Sequence, residues 1–201
     1  MSLVAVGVVG YLIGSIPTAG LLGGIFGVDL RRVGSCNPGT HNALRNSGPL
    51  LAALVLIVEA GKGLLAVWAG RRLAVDDAAD IAAVIAGLGA VTGNVYNIWY
   101  RLRGGKGLGI SLGVLVGIWP WSLVPLLLVL VIAVLVTRSS GTSALAAIVT
   151  LVLSGLVWWL ADWPTGGVEA GPWLLGFAVG MALILTWKHW VDSPLSSSSP
   201  R

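Results

Sequence analysis

The sequence predicts an all-α, polytopic membrane protein with seven transmembrane helices, its N-terminus outside and its C-terminus in the cytoplasm. Charged residues make up only 10% of the 201 residues, whereas about a quarter of a typical soluble domain is charged. The mean hydropathy is +0.92, and apolar stretches long enough to cross a bilayer recur along the chain. Because backbone N–H and C=O groups cannot stay unpaired in lipid, these stretches are expected to be helices.

Seven apolar segments are expected to span the membrane. Residues 108–136 are too long for one upright span of about twenty residues. Trp119, Pro120 and Trp121 lie inside this segment, and aromatic residues mark a membrane interface while proline breaks a helix. The segment is therefore interpreted as two short spans. The expected spans are residues 3–27, 48–70, 81–100, two within 108–136, 144–160 and 172–190.

These spans fill the chain, so no room is left for a separate soluble domain. A single transmembrane domain of residues 1–192 is expected. The remaining residues, 193–201, include four consecutive serines and are predicted to form a disordered tail.

The positions of Lys and Arg set the expected orientation, because cytoplasmic loops are enriched in them. One side holds nine of them, and the other holds only Arg71 and Arg72. Two polar loops, residues 34–45 and 101–107, are separated by two expected spans and therefore lie on the same side, the one with nine Lys and Arg residues. The segment 137–143 joins them only if 108–136 crosses twice. Because these short loops account for the net charge of +4, no nucleic-acid partner is expected.

Loop one, residues 34–45, reads Gly-Ser-Cys-Asn-Pro-Gly-Thr-His-Asn-Ala-Leu-Arg. Glycine allows backbone N–H groups to turn toward a ligand, and Arg45 supplies a positive charge, a combination that suits phosphate. The alternative is an ordinary helix–helix turn with capping residues. A plain turn needs only a few of these polar residues, so the sequence favours a ligand site.

Loop two, residues 101–107, reads Arg-Leu-Arg-Gly-Gly-Lys-Gly and comes directly before a predicted helix. A helix N-terminus offers unpaired N–H groups and partial positive charge, so Gly104, Gly105 and Lys106 are predicted to bind phosphate. The loop is not a Walker A motif, because Gly107 follows the lysine. A basic membrane anchor is the alternative. If both loops lie on one membrane face, they can form a single anion site.

Glu59 and Lys62 are charged residues inside a predicted span. They lie three residues apart, on one face of a helix, and ionisable groups in a span are usually paired or functional. They are therefore either a structural ion pair or a support for Arg45 or Lys106.

Several kinds of catalytic site are not supported by the sequence. Cys36 is the single cysteine, and His41 and His189 are the only histidines. Neither histidine has an aspartate five residues later, so a His-x-x-x-x-Asp acyltransferase dyad is missing. Metal-binding and serine-hydrolase motifs are also missing, and neither a catalytic metal nor a cofactor is expected.

Loop one is similar to the first signature of the PlsY-type glycerol-3-phosphate acyltransferases, Gly-Ser-x-Asn-Pro-Gly-x-x-Asn-x-x-Arg. Loop two, with Gly93 ahead of it, resembles their second signature. The resemblance implies a multi-pass bacterial inner-membrane enzyme whose active site faces the cytoplasm. Its substrates would be acyl phosphate and glycerol 3-phosphate, its product the lipid lysophosphatidic acid, and it would use no metal.

The same resemblance implies the site residues. The catalytic set is Ser35, Asn37, Gly39 and Asn42, with loop-one N–H groups holding the developing oxyanion. The phosphate-binding set is Arg45, Gly104, Gly105, Lys106, Thr142, Ser143 and His189.

Some positions depart from the family pattern. Asn94 stands where the family usually has histidine, and the serines of the third signature, Thr-Arg-x-x-Ser-x-x-Ser, are displaced, so Thr142 or Ser143 would replace them. Of the fourth signature only His189 remains. The leading prediction is an acyltransferase. A weak or inactive paralogue that binds phosphate or lipid is the first alternative, and a small transporter is a weaker one.

Overall fold

The computed structural model describes residues 1–75 and 77–191, apart from the side chains of residues 140 and 189–191. The described residues form α-helices and two short 3-10 helices, and they contain no strand, in agreement with the predicted all-α class. The α-helices are α1 (Leu3–Ser15), α2 (Thr18–Ile25), α3 (Thr40–Ser47), α4 (Pro49–Leu73), α5 (Ala79–Val95), α6 (Leu108–Ile118), α7 (Leu123–Thr137), α8 (Ser140–Ala161) and α9 (Pro172–Val191). The 3-10 helices are Ile98–Tyr100 and Pro120–Ser122.

Five helical segments are long and apolar enough to cross a membrane: Leu3–Ile25, Pro49–Leu73, Ala79–Tyr100, Pro120–Thr137 and Gly141–Ala161. Two shorter apolar helices, Leu108–Ile118 and Pro172–Lys188, accompany them. These segments agree with a multi-pass membrane protein. Seven spans and the orientation of the termini stay predictions.

The helices form two compact units, Met1–Gly117 and a second that begins at Ile118. The single domain of residues 1–192 therefore stays a prediction. The predicted disordered tail lies outside the described residues.

In the first unit, α1, α4 and α5 pack against one another. Gly10 and Gly14 of α1 lie so close to α5 that a Cβ on either would collide with the backbone of Ala86 or Ala90. Such close approach between helices is the usual role of small residues in membrane proteins. The resulting bundle holds the ends of α1 and α5 beside each other.

The first predicted helix, residues 3–27, is wrong in one respect, because it is broken at Pro17. The α1 helix ends at Ser15 and α2 begins at Thr18. Proline lacks an N–H group, and its ring clashes with the carbonyl four residues earlier. The break leaves carbonyl groups at the end of α1 without helical partners, and Lys62 binds two of these carbonyl groups.

Half of loop one is helical, which the sequence pattern did not indicate. The α3 helix covers Thr40–Ser47 and packs on α4. It forms because Ala43 is fully buried in one apolar cluster with Leu30, Leu51 and Val55, and burial of apolar surface stabilises a helix too short to be stable alone.

The break predicted within residues 108–136 is confirmed and lies where the second unit begins. The α6 helix ends at Ile118, and α7 follows a 3-10 turn that begins at Pro120. None of the residues in α7 is buried, although almost all of them are apolar. An unburied apolar helix suits contact with lipid. The α8 helix begins at Ser140, inside the polar segment 137–143 and four residues before the expected span 144–160.

Candidate functional site

Loop one is organised around the side chain of Asn42, which is 2% exposed. Its Nδ2 group donates to the carbonyls of Leu30 (2.8 Å) and Val33 (3.1 Å). Its Oδ1 atom accepts from the Ser35 N–H (3.0 Å) and the Asn46 side chain (2.9 Å). An amide has two donor and two acceptor positions of this kind, and all are used. Asn42 therefore shapes the loop from inside.

The backbone of loop one takes left-handed conformations at two positions. Gly34 has a φ of 58°, and Cys36 has a φ of 56°. A Cβ on Gly34 would also collide with the amide groups of Asn42 and Asn46. Glycine is therefore required at position 34 both for its φ and for space. The turn leaves Ser35 and Cys36 exposed.

The N–H groups of loop one are partly engaged before α3 begins. The Cys36 N–H donates to Val33 (3.0 Å) and the Gly39 N–H to Asn37 (2.9 Å). Gly39 is the N-cap of α3 and supplies no side-chain cap. The first-turn N–H groups of a helix have no acceptor within it. The N–H groups of Thr40, His41 and Asn42 are therefore among the donors left for a ligand.

Loop two folds back onto the end of α5. The Gly104 N–H donates to the Val95 carbonyl (3.0 Å) and the Gly105 N–H to the Asn94 carbonyl (3.1 Å). A Cβ on Gly104 would collide with the carbonyl of Asn94. The sequence predicts that these two glycines bind phosphate. In the structure their N–H groups bind α5, and their lack of side chains lets the loop approach it.

Loops one and two meet at Pro38 and Gly105. The Pro38 carbonyl lies 3.6 Å from the place that a Cβ on Gly105 would occupy. Both residues line one small pocket, together with Glu59, Asn94 and Tyr100. The pocket thus joins loop one, loop two and the buried charges of α4.

Glu59 and Lys62 form the buried ion pair that was one of the two predicted alternatives. The Lys62 Nζ atom lies 3.0 Å from Glu59 Oε1, and Nζ also donates to the carbonyls of Gly14 (3.2 Å) and Ile16 (2.8 Å). The other carboxylate oxygen, Oε2, accepts from the Asn94 side chain. Neither the partnership with Asn94 nor that with the end of α1 was predicted from the sequence.

Two cations of the predicted site carry no partner in the described part of the chain. Arg45 is exposed, and Lys106 is half-buried. Within residues 1–75 and 77–191, neither side chain makes a hydrogen bond or ion pair. A third cation, Arg31, lies over the ring of Tyr100 at 4.3 Å and was not predicted to be near the site. Arg45 and Lys106 are therefore available to an anion.

The remaining predicted site residues belong to the second unit. Thr142 donates through its N–H and hydroxyl groups to the Ser139 hydroxyl (3.3 and 3.1 Å), and the buried Ser143 hydroxyl donates to the Ser139 carbonyl (2.7 Å). These bonds form the first turn of α8. The side chain of His189 lies outside the described residues. Roles for these residues stay predictions.

The family model described as "Glycerol-3-phosphate acyltransferase" matches residues 4–193. The chain belongs to this family. A family member from Aromatoleum aromaticum is 39% identical over 180 residues, which are 89% of this chain and 85% of the relative. That relative is called glycerol-3-phosphate acyltransferase.

The fold of the chain described here is also similar to those of solved structures. A crystal structure of PlsY (YgiH), described as an integral membrane glycerol 3-phosphate acyltransferase in its glycerol 3-phosphate form, has a TM-score of 0.78. The match covers 100% of this chain and 96% of that one at 24% identity. The lysophosphatidic acid form of PlsY has a TM-score of 0.75, also at 24% identity. At this identity the likeness concerns the fold.

Proposed function

We propose that this chain is a bacterial inner-membrane acyltransferase that transfers an acyl group from acyl phosphate to glycerol 3-phosphate, giving lysophosphatidic acid. Membership of the glycerol-3-phosphate acyltransferase family supports the reaction. The observation that carries the site is the contact between loops one and two at Pro38 and Gly105. Loop one, which contains Arg45, and loop two, which contains Lys106, each contribute a residue to one pocket.

The proposed topology has seven spans, with the N-terminus outside and the active site at the cytoplasmic face. Loops one and two are separated by α4 and by the helical segment Ala79–Tyr100, and both are long and apolar enough to cross. Two crossings return the chain to the same side, as the Pro38–Gly105 contact requires. The excess of Lys and Arg on that side supports a cytoplasmic location.

Arg45 and Lys106 are proposed to bind the phosphate of glycerol 3-phosphate. Each offers a full positive charge and charge-assisted hydrogen bonds, which are stronger than neutral ones. Phosphate-binding roles for Thr142, Ser143 and His189 stay predictions. The site needs no metal, because the cations themselves balance the charge of the phosphate.

Acyl transfer requires little from the protein besides position and charge. The substrate hydroxyl attacks the carbonyl carbon of acyl phosphate, the new C–O bond forms, and inorganic phosphate leaves with its bonding electron pair. A phosphate oxygen of the substrate takes the hydroxyl proton. We propose that the first-turn N–H groups of α3 hold the developing oxyanion. Ser35, Asn37 and Gly39 would lie beside these groups, and the Asn42 side chain would fix the shape of loop one.

The test is turnover by the purified protein in a bilayer mimic. With acyl phosphate and glycerol 3-phosphate, we expect equal release of inorganic phosphate and lysophosphatidic acid. Acyl-CoA in place of acyl phosphate tests the donor, and omission of glycerol 3-phosphate controls for hydrolysis. Folded protein that gives no product above background would contradict the proposed reaction.

A phosphate- or lipid-binding protein without turnover is the second candidate. The observation that favours it is the engagement of Thr142 and Ser143 in the first turn of α8, at the displaced third signature. Calorimetric titration with glycerol 3-phosphate distinguishes the two. Binding without product supports this candidate, whereas binding with product supports the enzyme.

A further inference from the structure

We propose that Asn94 is a positioning residue that fixes loop two, and therefore Lys106, against loop one. The inference rests on the proposed function, because it assigns Lys106 to phosphate binding. Asn94 lies near the end of α5 and is 8% exposed. It does not have to touch the substrate, since it acts through the glycine-rich loop.

Asn94 binds loop two through its backbone and borders it with its side chain. Its backbone carbonyl accepts the Gly105 N–H at 3.1 Å. Its side-chain Oδ1 lies 3.3 Å from the place of a Cβ on Gly105, while the Pro38 carbonyl lies 3.6 Å from the same place. The carboxamide of Asn94 and the carbonyl of loop one therefore both border Gly105. A different side chain at position 94 would change the space into which Gly105 fits.

The orientation of the carboxamide is itself fixed by buried charges. The Asn94 Nδ2 group donates to Glu59 Oε2, and a hydrogen bond to a carboxylate is stronger than one between neutral groups. Glu59 is in turn held by Lys62 at 3.0 Å. Lys62 is bound to carbonyls at the end of α1. Asn94 thus connects loop two, which has no regular structure, to the packed helices α1, α4 and α5.

The consequence for catalysis follows from the neighbouring residue. Lys106 directly follows Gly105, so a shift of Gly105 moves the Cα atom of Lys106 by a similar distance. A displacement of about 1 Å at a substrate-positioning group can cost about 100-fold in rate. A weakened Asn94–Glu59 bond should therefore appear as weaker use of glycerol 3-phosphate, with acyl phosphate much less affected.

The experiment combines hydrogen–deuterium exchange with kinetics on full-length wild type, Asn94→Ala, Asn94→His and Glu59→Gln. We expect Asn94→Ala to speed exchange in peptides covering residues 101–107 and to raise the KM for glycerol 3-phosphate about tenfold, a loss near 1.4 kcal/mol. Asn94→His keeps an N–H donor for Glu59 and should recover part of both effects. Thr92→Ala is the matched control, because the Thr92 hydroxyl only donates to Leu88 within α5.

The outcomes separate this inference from the proposed function. Exchange reports the order of loop two whether or not the protein turns over, so an inactive wild type would contradict the function alone. Unchanged exchange in both Asn94→Ala and Glu59→Gln would overturn the positioning role, even with reduced activity. Faster exchange with an unchanged KM for glycerol 3-phosphate would overturn the link to Lys106. If Asn94→Ala or Glu59→Gln fails to fold, the double variant Glu59→Gln/Lys62→Met, which removes both buried charges, decides by the same two readouts.

Discussion

The Lys62 ammonium group donates to the carbonyl of Ile16 at 2.8 Å, although 46 residues separate them in sequence. The carbonyls at the end of a helix have no partners within it and carry partial negative charge. Pro17 prevents α1 from continuing, so these carbonyls face the α4 helix. Lys62 satisfies them, and Glu59 balances its charge within the bundle. The ion pair therefore provides a donor for carbonyl groups at the break between α1 and α2.

Lys62→Met is expected to destabilise the protein strongly. It leaves the Glu59 carboxylate buried without its countercharge, and breaking a buried pair from one side costs about 3–5 kcal/mol. The free energy of unfolding, measured by denaturant titration in detergent micelles, checks this value. The double variant Glu59→Gln/Lys62→Met removes both charges and should recover much of the loss. A single variant as stable as wild type would contradict the role of the pair.

The sequence predicted those features of the fold that depend on local composition. The apolar segments and the break at Pro120 follow from hydropathy and the chemistry of proline, and Glu59 and Lys62 show their pairing by spacing along one helix. The bond between Asn94 and Glu59 has no such signal, because 35 residues separate them. The α3 helix escaped prediction because its stability comes from the burial of Ala43 against distant residues.

The sequence predicted which residues belong to the candidate site, but not the hydrogen-bond partner of each group. Glycines and cations in loops one and two indicated an anion site, and the contact between Pro38 and Gly105 agrees with loops that meet. The sequence could not tell that the N–H groups of Gly104 and Gly105 donate to α5. Nor could it tell that all hydrogen-bonding positions of Asn42 are used inside loop one, because both facts depend on tertiary structure.

Arg45→Ala and Lys106→Ala are each expected to weaken the use of glycerol 3-phosphate. A hydrogen bond to a charged group contributes about 1.5–3 kcal/mol, so kcat/KM should fall by about 10- to 100-fold. Steady-state kinetics with glycerol 3-phosphate as the varied substrate measures the change. Both losses should shrink at high ionic strength, because salt screens the attraction that the wild type uses.

The control for the two cations is Arg103→Ala. Arg103 is an exposed cation in loop two, but it is not assigned to the site. Its replacement removes the same charge from the same loop and should change kcat/KM much less than Lys106→Ala does. Equal effects of Arg103→Ala and Lys106→Ala would show that only the total charge of the loop matters. That result would contradict a specific phosphate contact.

Gly34→Ala is expected to distort loop one. The left-handed conformation at this position costs a residue with a side chain about 1–2 kcal/mol, and the added Cβ collides with the amides of Asn42 and Asn46. Turnover should fall while the helical content, measured by circular dichroism, stays unchanged. Gly24→Ala is the control, since nothing lies within 4 Å of a Cβ there. Wild-type activity in Gly34→Ala would show that the shape of loop one is dispensable.

The proposed topology can be tested with the single cysteine of the chain, Cys36, which is exposed in loop one. A membrane-impermeant maleimide should label it in inverted membrane vesicles and not in intact spheroplasts, because loop one is proposed to face the cytoplasm. Cys36→Ser gives the background, and vesicles opened with detergent show that the thiol is reactive. Labelling in intact spheroplasts would contradict a cytoplasmic active site.

A second cysteine position tests the number of spans. Glu169→Cys in the Cys36→Ser background places a thiol in the exposed segment between α8 and α9. If residues 108–136 cross the membrane twice, five spans lie between positions 36 and 169, and the new thiol should be labelled from the outside. If they cross once, an even number of spans separates the positions, and both thiols would react from the same side. That result would leave Thr142 and Ser143 on the face opposite Lys106 and would remove them from the phosphate site.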